Sequence, residues 1–292
     1  MPINHDAVGD CGPEYEIEWS ADDTLFYNIA VGAGMTDPAG FELQFTTENT
    51  EGVELQALPT AAAVLAQNPA AWRAGPMGRL GSWDLAKFRH GAQAITLHSP
   101  VPPAGRALAS ARINAIYDKG SAAVVVLDTD VVDTIDRARL FTSTMTLFIG
   151  GEGGWGGDRG PSMTNEAPDR APDHVVTQQT RPDQALLYRL VNDRVRLHSD
   201  PGFARSAGFE RPILHGLCTY GFVGRALVHT FCDSDASLVR SMRARFAAPV
   251  LPGETLETRI WADGTSCRFA TYVEDRAVLD GGSFEWWPGT PG

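Results

Sequence analysis

Asp193 and His198 stand five residues apart in YRLVNDRVRLHSDP, residues 188–201. A carboxylate and an imidazole that share one water can accept its proton and return one. On a regular helix, five steps of 100° leave the two side chains about 140° apart. They converge only if the backbone between them leaves the helix. The flanks agree: Tyr188–Leu190 continues a helical pattern, and Ser199-Asp200-Pro201 has the residues that cap a new turn. A plainer role stays open, with Asp193 as a cap and His198 as an exposed loop side chain.

A second cluster is RPILHGLCTYG, residues 211–221. Pro212 and Gly216 bracket the start of a helix. The N–H of Gly216 then lies where free donors and the helix dipole favour negative charge. Such a donor stabilises an oxyanion without a charged side chain. Gly216 can equally serve close backbone packing alone. Cys218 sits in an apolar run and reads as core. There is no G-x-S-x-G elbow for a serine nucleophile. There is no H-E-x-x-H or clustered His/Cys spacing for a metal, and no strand–GxGxxG–helix fingerprint for a dinucleotide. Cys11, Cys218, Cys232 and Cys267 include no C-x-x-C pair and read as free buried thiols in a reducing compartment.

The chain of 292 residues is 43% hydrophobic and 21% charged, ordinary for a globular protein, with a formal net charge of −12. That balance argues against nucleic acid and an anionic membrane as partners, since both need a basic face. The start lacks a basic segment followed by an apolar run, and AAVVVL is far too short to span a bilayer. WWPGTPG carries no peroxisomal or lipidation signal, so a cytoplasmic location is expected.

The elements that position these residues come in two sets. DDTLFYNIAVGAG predicts a helix ending near Gly32 or Gly34, and TAAAVLAQNPAAW a helix capped by Thr60. QAITLHSP, RALASARINAIYDKG, SAAVVVLDTDVVD and RARLFTSTMTLFIGG predict antiparallel strands. GGEGGWGGDRGPS has seven glycines between Gly150 and Gly160 but no following Gly-Lys-Ser/Thr, so a flexible exit from the sheet is expected in place of a phosphate loop. MTNEAPDRAPDHVVTQQTRPD reads as a linker, giving halves 1–150 and 181–292 joined by 151–180. RPDQALLYRL predicts a helix with Pro182 near its first position. GLCTYGFVGRALVHTF predicts a long apolar helix, and SMRARFAAPV, ETLETRIWA, SCRFATYVE and RAVLDGGSFEWW predict closing strands. VPPAGRALASARI and VLPGETLETRI share Pro, Gly, Leu and Arg-Ile, a weak internal repeat that favours a duplicated α+β unit.

LLYRLVNDRVRLHSDPGFARSAGFERPILHGLCTYGF resembles the signature of the MaoC-like, (R)-specific enoyl-CoA hydratases, also called type 2 enoyl-CoA hydratases or 3-hydroxyacyl-thioester dehydratases. Their pattern runs Tyr-Arg-Leu, Ser-Gly-Asp-x-Asn-Pro-Leu-His, Asp-Pro, Ala-Gly-Phe and Pro-Ile-Leu-His-Gly. FYNIAVGAG, LPT, HGAQAITLHSPVPPAG, YDKG, LFIGGEGGWGGDRGP and RFAAPVLPGETL extend the likeness over nearly the whole two-domain form. The resemblance implies a double hot-dog, two antiparallel sheets each wrapped round a central helix. Catalysis would lie in the C-terminal half, with the acyl chain held by the N-terminal half. It implies reversible hydration of a trans-2-enoyl-CoA to a (3R)-hydroxyacyl-CoA, with no metal or redox cofactor and a homodimer as the assembly. Asp193 and His198 would position and activate water, and Gly216 N–H would face the thioester oxygen. His90, Gly91, Lys119 and Phe246 would contact the acyl-CoA or acyl-carrier thioester.

The loop also departs from the family. Val191-Asn192 stands for Ser-Gly, Val195 for an Asn that hydrogen-bonds at the water site, and Arg196 for a Pro. Val195 can neither donate nor accept. Arg196 regains a backbone donor and free φ. Arg194 and Arg196 bring two positive charges in sequence next to Asp193. These substitutions keep open an altered reaction on a thioester or carbonyl substrate (isomerisation, retro-aldol cleavage or cyclisation), or a binder of acyl thioesters without turnover.

Overall fold

The computed structural model describes residues 3–84, 87–161 and 167–289. The first half runs β1 (Tyr15–Trp19), α1 (Ala21–Ala30), α2 (Leu43–Thr46), a 3-10 turn Pro59–Ala61, α3 (Ala62–Leu65), α4 (Pro69–Ala74) and α5 (Pro76–Leu80). Four long strands follow: β2 (Phe88–Leu97), β3 (Gly105–Asp118), β4 (Ala122–Asp133) and β5 (Arg139–Gly150). The second half runs β6 (His174–Gln179), α6 (Gln184–Tyr188), α7 (Pro201–Ser206), α8 (Gly216–Phe231), β7 (Val239–Phe246), β8 (Thr255–Asp263), β9 (Ser266–Val273) and β10 (Arg276–Trp286).

The strands form one sheet in the order β1-β3-β4-β5-β2-β7-β10-β9-β8-β6. The first five and the last five repeat one plan: β6 stands for β1, β8 for β3, β9 for β4, β10 for β5 and β7 for β2. The weak sequence repeat is therefore real, since its two copies lead into β3 and β8. The halves meet where β2 pairs with β7, from Ala92 opposite Arg245 to Thr96 opposite Ser241. Two hot-dog sheets thus merge into one, a closer union than two separate sheets.

Helix α8 fills the concave side, with Leu217–Val228 buried along it. Phe222 and Tyr220 are fully buried, each worth roughly 1.5–3 kcal/mol in apolar transfer. Glycines on α8 let the first half lie against it. A Cβ at Gly221 would stand 2.4 Å from Val31, and one at Gly224 would stand 2.5 Å from Thr60. The first half has a much shorter helix at the matching place, because α3 ends at Leu65 and Asn68-Pro69 starts a new helix. On the far face of the first sheet, Ile113, Leu127 and Leu147 pack under Leu80. With both faces covered, β4 needs no polar alternation, which explains its run of apolar residues. A buried ion pair joins the halves, Arg225 of α8 with Glu42, whose second oxygen lies 3.2 Å from His229 Nε2.

Several expectations change. Thr60 is not a cap: it lies inside the 3-10 turn, with Leu58 at the N-cap and Pro59 first. Proline suits that first position because it has no N–H to satisfy. Pro182 precedes the N-cap Asp183 of α6 and lies outside the helix. The stretch read as linker holds β6, a polar edge strand paired with β8; its residues 162–166, like the tail 290–292, lie outside the described residues. The glycine-rich stretch closes round a carboxylate. Asp118 accepts the N–H groups of Gly120, Gly154 and Gly156 at 2.7–2.8 Å. Those bonds, Gly154 foremost, hold its carboxyl down at about 2. Of the four thiols, Cys11 is exposed and the other three are buried.

Candidate active site

The loop after α6 leaves the helix as the Asp193/His198 spacing requires. Arg189–Val191 forms a 3-10 turn that ends at Asn192, with φ of 107°. That left-handed conformation normally calls for Gly, and Asn is among the few other residues that adopt it. Asn192 thus preserves the turn where the family pattern has Gly. The chain then reverses, and a second 3-10 turn, Arg196–His198, presents the imidazole. Asp200 caps α7 through the N–H groups of Gly202 and Phe203, with Pro201 first in the helix. The Ser199-Asp200-Pro201 cap predicted from sequence is present.

Asp193, His198 and His215 offer polar atoms within 4.8 Å of one another. Asp193 Oδ1 accepts the N–H of Val195 at 3.2 Å. His198 Nδ1 lies 2.9 Å from the Ile213 carbonyl. A carbonyl only accepts, so Nδ1 carries the proton and Nε2 is left as the basic nitrogen. Burial holds the His198 pKa below its ordinary value, partly offset by the Ile213 carbonyl and the Asp193 charge. The imidazole is therefore neutral at neutral pH, as a general base must be.

His215, the N-cap of α8, is fully buried and stacks on His198 with ring centroids 3.7 Å apart and planes 25° from parallel. Two imidazoles that bind one ion aim their in-plane lone pairs at a common point about 2 Å from each nitrogen. Near-parallel stacked rings send those lone pairs alongside each other. The trio fits a water held between carboxylate and imidazole better than it fits a metal ion.

Gly216 opens α8, and the His215 side chain makes no cap bond to the helix. A Cβ at Gly216 would stand 3.0 Å from the Phe246 ring. Phe246 in turn meets His90 edge-on at 4.9 Å between centroids. A register shift in β2 between His90 and Ala92 brackets Gly91. Burial pushes His90 down to about 4. Phe246 therefore lies between His90 and Gly216, which adjoins His215.

Of the other expected residues, Val195 meets the group only through its backbone N–H, which Asp193 Oδ1 accepts. Lys119 sits in the turn between β3 and β4, and its ammonium donates to the Pro161 carbonyl at 3.0 Å. Val195 is 53% exposed. Arg196 pairs with Asp200 and covers the Phe203 ring, so its charge is directed to α7 and away from Asp193. Cys218 is buried with its pKa well above the thiol range, and is core. His215 was missed by sequence reasoning. Its signal was present, a histidine directly before the Gly216 donor, but spacing alone gives a helix N-cap no link to Asp193.

Residues 17–151 match the family described as MFE-2 hydratase 2 N-terminal domain, and residues 163–280 match the MaoC like domain. The chain is 43% identical over 300 residues to 3-hydroxyacyl-thioester dehydratase Y of Mycobacterium tuberculosis, covering 99% of this chain and 100% of that protein. It is 43% identical to enoyl-CoA hydratase ChsH3 of the same organism, covering 90% of this chain and 91% of the relative. Among solved structures, a MaoC-like dehydratase from Phytophthora capsici superposes with a TM-score of 0.86 at 31% identity, over 97% of this chain and 98% of the other. By its two matched regions, its full-length relatives and its double hot-dog fold, the chain belongs to the MaoC-like hydratase 2 family of enoyl-CoA hydratases and 3-hydroxyacyl-thioester dehydratases.

Proposed function

We propose that the protein adds water reversibly to a trans-2-enoyl-CoA, giving a (3R)-hydroxyacyl-CoA. The convergence of Asp193, His198 and Gly216 at one place carries this reading. A water between the Asp193 carboxylate and His198 Nε2 attacks C3 of the enoyl thioester. The C3–O bond forms as the pair takes one proton from the water. The electrons of the C2–C3 double bond move to the thioester oxygen, whose charge faces the Gly216 N–H. Collapse of the enolate takes the proton back at C2, so one water is consumed and the pair is restored. Dehydration runs the same steps in reverse. His90, Gly91, Lys119, Val195, Arg196 and Phe246 contact the thioester substrate, and the first half accommodates the acyl chain. CoA or an acyl carrier delivers the thioester to a homodimer in the cytoplasm. No helix among the described residues is long and apolar enough to cross a membrane.

Val195 favours a second reading, in which the site stabilises an enolate but holds no water and performs isomerisation, retro-aldol cleavage or cyclisation. Loss of enoyl absorbance with crotonyl-CoA and a medium-chain enoyl-CoA separates the two. Hydration to the (3R) product supports the first, and Val195→Asn with Arg196→Pro should then raise the rate roughly tenfold or more, within the range of one active-site polar contact. Binding of acyl-CoA without hydration, unchanged in the double variant, points to a different reaction or to a binder of acyl thioesters without turnover.

A further inference from the structure

His215 has no role in the steps above, yet it touches every part of the site. Its Nε2 lies 3.3 Å from the backbone carbonyl of Asp193, so Nε2 carries the proton and donates to it. Its ring lies flat against His198. Its own backbone is the N-cap from which Gly216 opens α8. Tyr188, fully buried, packs against its other side with centroids 5.0 Å apart. Its Nδ1 has no hydrogen-bond partner among the described residues.

We infer that His215 is the positioning residue of this site: its N–H fixes the Asp193 backbone to the start of α8, while its ring excludes water from one face of His198. The carboxylate and the imidazole arrive on a loop of two 3-10 turns, which cannot hold them rigidly by itself. The oxyanion donor arrives on a rigid helix. His215 couples the two, so that the water-activating pair and the Gly216 N–H keep one spacing. The role requires a neutral ring. The groups facing it are His198, Asp193 through its carbonyl, Tyr188 and the half-buried Arg189; burial, then His198, holds His215 down at about 3.

The inference rests on the hydratase reading for its kinetic arm only. Two near-isosteric variants separate the two contacts. His215→Gln keeps an N–H for Asp193 and loses the ring. His215→Phe keeps the ring and loses the N–H. His215→Phe should lower kcat by about a hundredfold, the effect of misplacing a reacting group by ~1 Å, with KM for the enoyl-CoA little changed. His215→Gln should retain more of kcat but move the acid limb of the pH–rate profile to higher pH. With water admitted to its face, His198 holds its proton more readily. NMR titration of His198 in the same proteins reads the second effect without turnover: its midpoint should rise in His215→Gln and stay low in His215→Phe. Wild-type kcat in both variants, or an unmoved His198 midpoint in His215→Gln, overturns the inference. If the wild-type protein leaves enoyl-CoA unchanged, the hydratase reading fails, and the His198 titration alone decides for or against His215.

Discussion

The two halves share one strand plan but meet their helices with different residues. In the second half, the N-cap His215 has φ of −62° and ψ of 134°, and Gly216 follows. In the first half, the N-cap Leu58 has φ of −62° and ψ of 132°, and Pro59 follows. The backbone is the same, but proline has no N–H, so the first half lacks the N–H donor that Gly216 keeps at the start of its helix. The preceding turns differ likewise. Gly32 has φ of 94° and is followed by the buried Ala33; Asn192 has φ of 107° and is followed by Asp193. Duplicating a scaffold therefore does not duplicate a site. On matching backbone, Leu58, Pro59 and Ala33 leave the first half without counterparts of His215, the Gly216 N–H and the Asp193 carboxylate.

Four experiments break or sharpen this contrast. Asp193→Asn makes the second half resemble the first in its carboxylate. We expect kcat to fall by about 10²–10⁴-fold, the span of one acid–base group, with the thermal transition unchanged; retained turnover would remove Asp193 from the chemistry. Gly216→Pro copies the first half's missing donor at a position where helices accept proline. A loss of about 10²–10³-fold in kcat is expected, as for one oxyanion donor. Gly216→Ala, which keeps the N–H but crowds Phe246, should lose much less, and equal losses would make packing the cause. Gly221→Ala probes the contact between halves, where a Cβ would stand 2.4 Å from Val31. Overpacking there should cost about 1–3 kcal/mol in denaturant unfolding, and no cost would mean that the halves can part locally.

The fourth concerns pH. One histidine of each half is held far down, the half-buried His90 to about 4 and the buried His215 to about 3. Both lie below the ordinary value of 6.5. Between these values the unfolded chain binds more protons than the folded one, so stability is full above about pH 6.5 and declines as pH falls. Each histidine contributes at most about 1.4 kcal/mol per pH unit to that slope. His90→Gln should flatten the fall in stability between pH 6.5 and 4.5, and an unchanged slope would assign the acid sensitivity to other groups.

Much of this was legible in the sequence where residue type and period agree. The long helix was found at 216–231 because its apolar run is bounded by Gly216 and the change at Cys232. The half-buried alternation of β5 appears in its hydroxyl residues. The loop carrying Asp193 and His198 followed from their spacing. β6 was hidden because a mostly exposed edge strand needs little apolar face, and its sequence looks like linker. The tie between His215 and Asp193 was hidden because it runs to a backbone carbonyl 22 residues away, which no side-chain pattern records. Arg196 was misjudged because proximity in sequence suggested Asp193, while one helical turn brings Asp200 to it instead.

The seam between β2 and β7 also bears on how the chain is made. Ala92 and Arg245 are partners in the finished sheet, so about 150 residues must be added before β2 finds its neighbour. From the end of β5 at Gly150 to Arg245 is 95 residues, so at the usual 5–20 residues per second the completed first half waits roughly 5–20 s with an open strand edge. An open edge is a template for other chains. Premature termination anywhere before β7 releases a fragment with that template exposed.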